Sequence, residues 1–174
     1  PHREGVRGSA RAGGWLFLRT VSLRFALLAT VGVATALGTD ELAGWQVAYT
    51  IFSTAAFALD ALAIAAQALI GKGLGAGDEP LVRRVLGRTL AWGLWFGVIV
   101  GALVGALSGV MGLVFTGDPA LAALVQPALI ILAVAQPLCG VVFVLDGVLI
   151  GAGDAKYLAV AGLLNLVPFL PVLI

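Results

Sequence analysis

Residues 42–71 read LAGWQVAYTIFSTAAFALDALAIAAQALIG, an apolar run whose one charged residue is Asp60. A helix crosses a hydrocarbon core of about 30 Å with roughly 20 apolar residues at ~1.5 Å rise each. This run therefore spans a membrane with residues to spare, and must tilt, bend or protrude. Four more stretches qualify as spans: roughly 15–37, 89–115, 120–150 and 156–174. They are rich in Ala, Leu and Gly and lack the alternation of strands, so helices packed in lipid are predicted. The fold class is all-α: a polytopic membrane protein with five transmembrane helices over 15–174, preceded by a cytoplasmic linker over 1–14.

Composition agrees. With 61% hydrophobic and 11% charged residues and a mean hydropathy of +1.10, the chain is too apolar for a water-soluble domain of its length. The net charge of +1 gives no long-range field for nucleic acid, and no nucleic-acid partner is expected. Cys139 and His2 are each the sole residue of their type, which excludes a disulfide within the chain, a thiolate cluster and a nucleophile–base–orienter set. Residues 73–78, GLGAGD, lack the Lys-Ser/Thr of a phosphate loop and follow no strand, so they read as a helix end. No enzyme activity, metal or organic cofactor is expected.

Charge sets the orientation. The breaks between spans alternate: basic (Arg3, Arg7, Arg11, Arg19, Arg24), bare (Asp40, Glu41), basic (Lys72, Arg83, Arg84, Arg88), bare (Asp118) and basic again (Lys156). Loops rich in Lys and Arg stay cytoplasmic, so the N-terminus lies inside and the turns near 38–41 and 116–119 lie outside; the expected membrane is the plasma (cell inner) membrane. Trp15, Trp92 and Trp95 fall near inner ends and Trp45 near an outer one, where an indole N–H stays wet. The chain starts on Pro1 and ends in apolar sequence, so both ends read as cut from a larger transporter or channel.

The polar residues inside the spans are the site candidates. Gln46, Ser53, Asp60 and Gln67 recur every seven residues, with Tyr49 and Thr50 beside them. A heptad drifts by only ~20° on an α-helix, so these side chains form one stripe. The stripe faces either a wet cavity or a dry contact with a partner helix. An ionised carboxylate at a helix centre costs about 2.5–3.5 kcal/mol even on mild insertion scales, so Asp60 must be protonated, paired or hydrated. No Lys or Arg is expected at its depth, which makes Asp60 the leading proton- or cation-coupling candidate. Asp146, five residues before Gly151, is placed nearer the cytoplasmic interface, as a second coupling group or one half of a salt link. Gln136, before Pro137, and Asn165 complete the substrate-cavity candidates, which are Gln46, Tyr49, Ser53, Gln67, Gln136 and Asn165. Gln126, before Pro127, has the same chemistry.

Gly93, Gly97, Gly101, Gly105 and Gly109 share a spacing of four and make a smooth groove for a second backbone, or a sliding surface. Pro127, Pro137, Pro168 and Pro171 each remove a backbone donor inside a span and predict bends. Residues 73–78 are echoed by IGAGD at 150–154, after the other inward-running helix. An internal repeat of helix pairs and a shared turn type both explain the echo.

Residues 58–78, ALDALAIAAQALIGKGLGAGD, resemble a string typical of the multidrug and toxic compound extrusion (MATE) family, DinF-type branch, as do residues 145–154, LDGVLIGAGD, and Arg19-Thr20 before the first span. The similarity runs over essentially 15–165. It implies a twelve-helix antiporter of two six-helix lobes, with this chain supplying helices seven to eleven and residues 1–14 the interlobe linker. The missing N-terminal lobe is then an implied partner. The resemblance further implies export of amphipathic, often cationic small molecules in exchange for protons or sodium. The family's acidic cation site is not carried over, because Asp60 and Asp146 do not clearly occupy those motif positions. Two alternatives remain: a flippase of related architecture for a lipid-linked oligosaccharide, which requires basic residues inside the membrane, and an inactive truncated membrane fragment.

Overall fold

Each apolar stretch forms one long helix in the computed structural model, which describes residues 2–173. Pro1 and Ile174, which end the expected linker and fifth span, lie outside the described residues. So do the side chains at 2–7, 9 and 116, among them His2, Arg3 and Arg7. The helices are α1 His2–Leu37, α2 Thr39–Gly75, α3 Glu79–Thr116, α4 Pro119–Gly151 and α5 Ala155–Leu173. All five are long and apolar enough to cross a membrane, and the expected all-α class holds. Residues 2–14, expected as a separate linker, are helical and run into α1 without a break; the apolar part of that helix begins at Ala10.

Local chemistry sets the helix ends. Asp78 caps α3 by accepting a hydrogen bond from the Leu81 amide at 3.0 Å, and Asp118 caps α4 through the Ala120 amide at 2.8 Å. Pro80 and Pro119 occupy the first turns, where no donor is needed. The two echoed turns are built alike. The Gly77 amide bonds the Leu74 carbonyl at 3.1 Å and the Asp78 amide bonds Gly73 at 2.9 Å; in the second turn Gly153 bonds Ile150 and Asp154 bonds Leu149, each at 3.0 Å. Gly77 (φ 67°) and Gly153 (φ 80°) take the left-handed conformation that this closure requires.

α4 is the central element. It runs antiparallel to α3 and parallel to α2, and packs along both. The glycine groove of α3 is filled by the α4 backbone: a Cβ at Gly93 would lie 2.6 Å from the Gly140 carbonyl, and Gly97 and Gly101 lie still closer to the carbonyls of Gln136 and Ala133. Over the next two turns the fit relaxes, to 3.5 Å at Gly105 and 3.7 Å at Gly109, and it closes again at Gly112, where a Cβ would lie 2.9 Å from Ala122 Cα. α4 has small residues of its own where α2 crosses it, with Gly147 against the Ala63 carbonyl and Gly151 against that of Gln67. Pro137 leaves the Ala133 carbonyl without its usual donor, and that oxygen is the one that rests on Gly101. None of the four prolines ends its helix.

The apolar core of this trio joins Val47 and Ile51 of α2, Val104 of α3, and Val125, Leu129 and Ala133 of α4. α1 and α5 form a second unit, packed on each other with Gly162 against Ser22. α5 meets α4 only slightly, and among the described residues the backbones of α1 and α4 do not come together. That separation opens the space described next.

Candidate functional site

The register of α2 against α4 fixes the depth of the carboxylates. Gly147 faces Ala63 and Gly151 faces Gln67, so Asp60 lies level with the turn that carries Asp146, within about 3 Å along the axis. Counting from each turn had put Asp146 nearer the interface. The correction arises because α2 continues past Gly151 to Gly75, so equal distances from the two turns are unequal depths.

Between α1, α2 and α4 lies a cavity of about 640 Å³. Its polar wall is Arg19, Asp60, Gln67 and Asp146; Phe52 and Phe143 are among its apolar walls. The volume falls in the range of about 300–1,000 Å³ typical of small-molecule sites. Arg19 of α1 crosses the gap and donates to the Asp146 carboxylate as a hydrogen-bonded ion pair, with the two side chains 23% and 29% exposed. Asp60 is exposed and makes no hydrogen bond or ion pair among the described residues.

The expectation that no Lys or Arg reaches the depth of Asp60 is therefore corrected. Arg19 had been counted with the inner basic break. In the folded chain it sits nine residues inside the apolar part of α1, roughly 14 Å from its start, and lines the same cavity. Of the two roles open to Asp146, the salt link is the one the geometry displays.

The remaining candidates divide. Gln67 lines the cavity with Asp60, whereas Gln46, Tyr49 and Ser53 do not. Ser53 donates to its own helix at the Thr50 carbonyl, 3.0 Å away, and Thr50 donates to the Gln46 carbonyl at 2.8 Å. Tyr49 stacks on Trp45 with ring centroids 5.0 Å apart. The stripe is thus one cavity face only in its second half. Gln136 is sealed in the α3–α4 seam at 1% exposure, with neither amide atom partnered. It cannot meet a ligand there, and its placement as a cavity residue is corrected. Asn165 is exposed on α5, away from the cavity. The residue that sequence reasoning missed is Arg19. Its signal was an arginine two turns into an apolar helix, obscured by assignment to a loop.

A carboxylate with no partner, beside an internally paired carboxylate and an amide, can hold a proton, a small cation or an ammonium group in turn. The sequence profile of the MatE family matches residues 16–172. The chain belongs to the MATE family. That is a family of membrane transporters, not of enzymes. Among its relatives the chain is similar to Protein DETOXIFICATION 43 of Arabidopsis thaliana, at 35% identity over 83% of this chain and 27% of that protein. It is also similar to Protein DETOXIFICATION 44, chloroplastic, of the same plant, at 30% identity over 86% of this chain and 29% of that protein. The chain spans little more than a quarter of the length of these curated relatives. No solved structure matches it.

Proposed function

We propose that this chain is most of the second lobe, helices seven to eleven, of a DinF-type MATE antiporter. It exports amphipathic or cationic compounds in exchange for protons or sodium, working with an N-terminal lobe of the same transporter. The N-terminus and the basic helix ends face the cytoplasm of a plasma membrane, as the positive-inside rule requires. The supporting observation is the Asp60 carboxylate, without a partner among the described residues, on the wall of the cavity and level with the Arg19–Asp146 pair. An ionised Asp60 attracts a cationic substrate; a protonated or sodium-occupied one releases it. Alternating exposure of such a site to the two sides is exchange.

The test is Asp60→Asn in the full-length protein reconstituted in liposomes. Insertion and thermal stability should stay within ~0.5 kcal/mol of the parent, because an exposed carboxylate without partners contributes little to folding. Efflux driven by a proton or sodium gradient should fall at least about tenfold, as expected for loss of a group that binds the driving ion. Undiminished coupled efflux removes Asp60 from the mechanism.

Arg19 bears on the flippase alternative, since it is a basic residue inside the apolar part of a span. Its charge is committed to Asp146, and Asp60 leaves the cavity acidic. A pyrophosphate head group would meet net repulsion there, so the antiporter reading is favoured.

A further inference from the structure

The cavity holds three formal charges, and their arrangement specifies what it accepts. Arg19 comes from α1, Asp60 from α2 and Asp146 from α4; the rest of the lining is Gln67 and apolar side chains. Arg19 is bound to Asp146, so one carboxylate is already answered. A single uncompensated negative charge remains, at Asp60. In a space walled by Phe52, Phe143 and aliphatic groups, that charge attracts a cation more strongly than it would in bulk water. One positive charge on a ligand makes the cavity neutral. Two leave an excess, and none leaves Asp60 unanswered.

Resting on the reading of this cavity as part of the substrate path, we propose that Arg19 is a specificity-determining residue that sets the cavity to singly charged amphipathic cations and against doubly charged ones. Arg19 acts by answering the charge of Asp146 on the cavity wall. It is also the tie between two helices whose backbones do not meet, so its structural role must be separated from its electrostatic one. A mere tie, once cut, weakens binding of every cation alike. A charge-setting residue changes the ratio between cations of different valence.

The experiment measures binding of tetraphenylphosphonium and of methyl viologen to the full-length protein in nanodiscs. The parent should favour the monocation. Arg19→Gln should shift the affinity ratio toward the dication by roughly tenfold, the factor one unlike charge a few ångström away supplies in a partly hydrated site. Arg19→Lys should keep the parent's ratio. Should Arg19→Gln fail to fold, Asp146→Asn reaches the same question from the other side. It brings the formal charge to zero and should weaken monocation binding by about tenfold, and the Arg19→Gln/Asp146→Asn double variant, restored to one negative charge, should recover it. An unchanged ratio in Arg19→Gln, or an unchanged monocation affinity in Asp146→Asn, overturns the assignment of Arg19 while leaving the cavity as a cation site. A parent protein that binds neither probe overturns the underlying reading of the cavity, and this proposal with it.

Discussion

The α3–α4 seam makes a graded claim that three alanine substitutions on one helix can test. At Gly97 an added Cβ would lie 2.7 Å from Pro137 Cα, closer still to the Gln136 carbonyl, and both neighbours are backbone that cannot rotate away. Restoring ordinary contact of about 3.4 Å requires the helices to part by at least roughly 0.7 Å, and overpacking on that scale costs about 1–3 kcal/mol. At Gly105 the nearest atom to a new Cβ is the Ala133 methyl at 3.5 Å, an ordinary contact, so Gly105→Ala should be close to neutral. At Gly87, where nothing lies within 4 Å, alanine should stabilise by about 0.5–1 kcal/mol through its better helix propensity. Thermal unfolding in detergent, followed by circular dichroism, should rank the melting temperatures Gly87→Ala above parent and Gly105→Ala, with Gly97→Ala clearly lowest. If Gly97→Ala melts with Gly105→Ala, the helices do not approach as described and the groove is no close contact.

Two further outcomes follow from the packing and the turns. Gln136→Met should leave stability unchanged or raise it by ~1–3 kcal/mol in the same assay, because the amide it replaces is buried without a partner; a lower melting temperature would reveal a hydrogen bond to that amide. Gly77→Ala and Gly153→Ala should each cost about 1–2 kcal/mol, since both glycines hold a left-handed φ in turns with the same bonding; a marked difference between the two would mean that the turns are not equivalent.

The helices were legible because the bilayer imposes length and polarity together, and no segment here has to choose between strand and helix. Turn chemistry was legible for a similar reason: Gly77-Asp78 and Gly153-Asp154 are local devices, specified by residues within five positions of each other. Relative depth was not. It depends on where α2 stops with respect to α4, and that is set by Gly147 seated on Ala63 and Gly151 on Gln67, contacts between segments about 84 residues apart. Arg19 was misplaced for the same reason. Charge counting assigns an arginine to a loop unless something shows the helix running through it, and the partner that holds Arg19 inside, Asp146, lies 127 residues away.

The two echoed turns sharpen this distinction. Asp60 and Gln136 each precede the Asp of their turn by 18 residues, Asp78 and Asp154, yet the register that seats Gly147 on Ala63 sets Gln136 level with Phe52, about 12 Å from Asp60 along the axis. Their surroundings are opposite. α4 is central, packed by α3 on one side and α2 on the other, and around Gln136 it is sealed, so that residue is 1% exposed. α2 stands at the edge of the trio and presents Asp60 to the gap left by α1, so its carboxylate meets open space. A carboxylate in the seam would carry a desolvation cost of several kcal/mol with no cation to offset it, whereas an amide there costs far less. The residue types follow that division: the ionisable group stands where a ligand or water can reach it, and the neutral one where neither can. Equivalence of turns therefore does not give equivalence of depth, because the register of α2 on α4 intervenes, and the chemistry at each position is decided by which neighbours cover it.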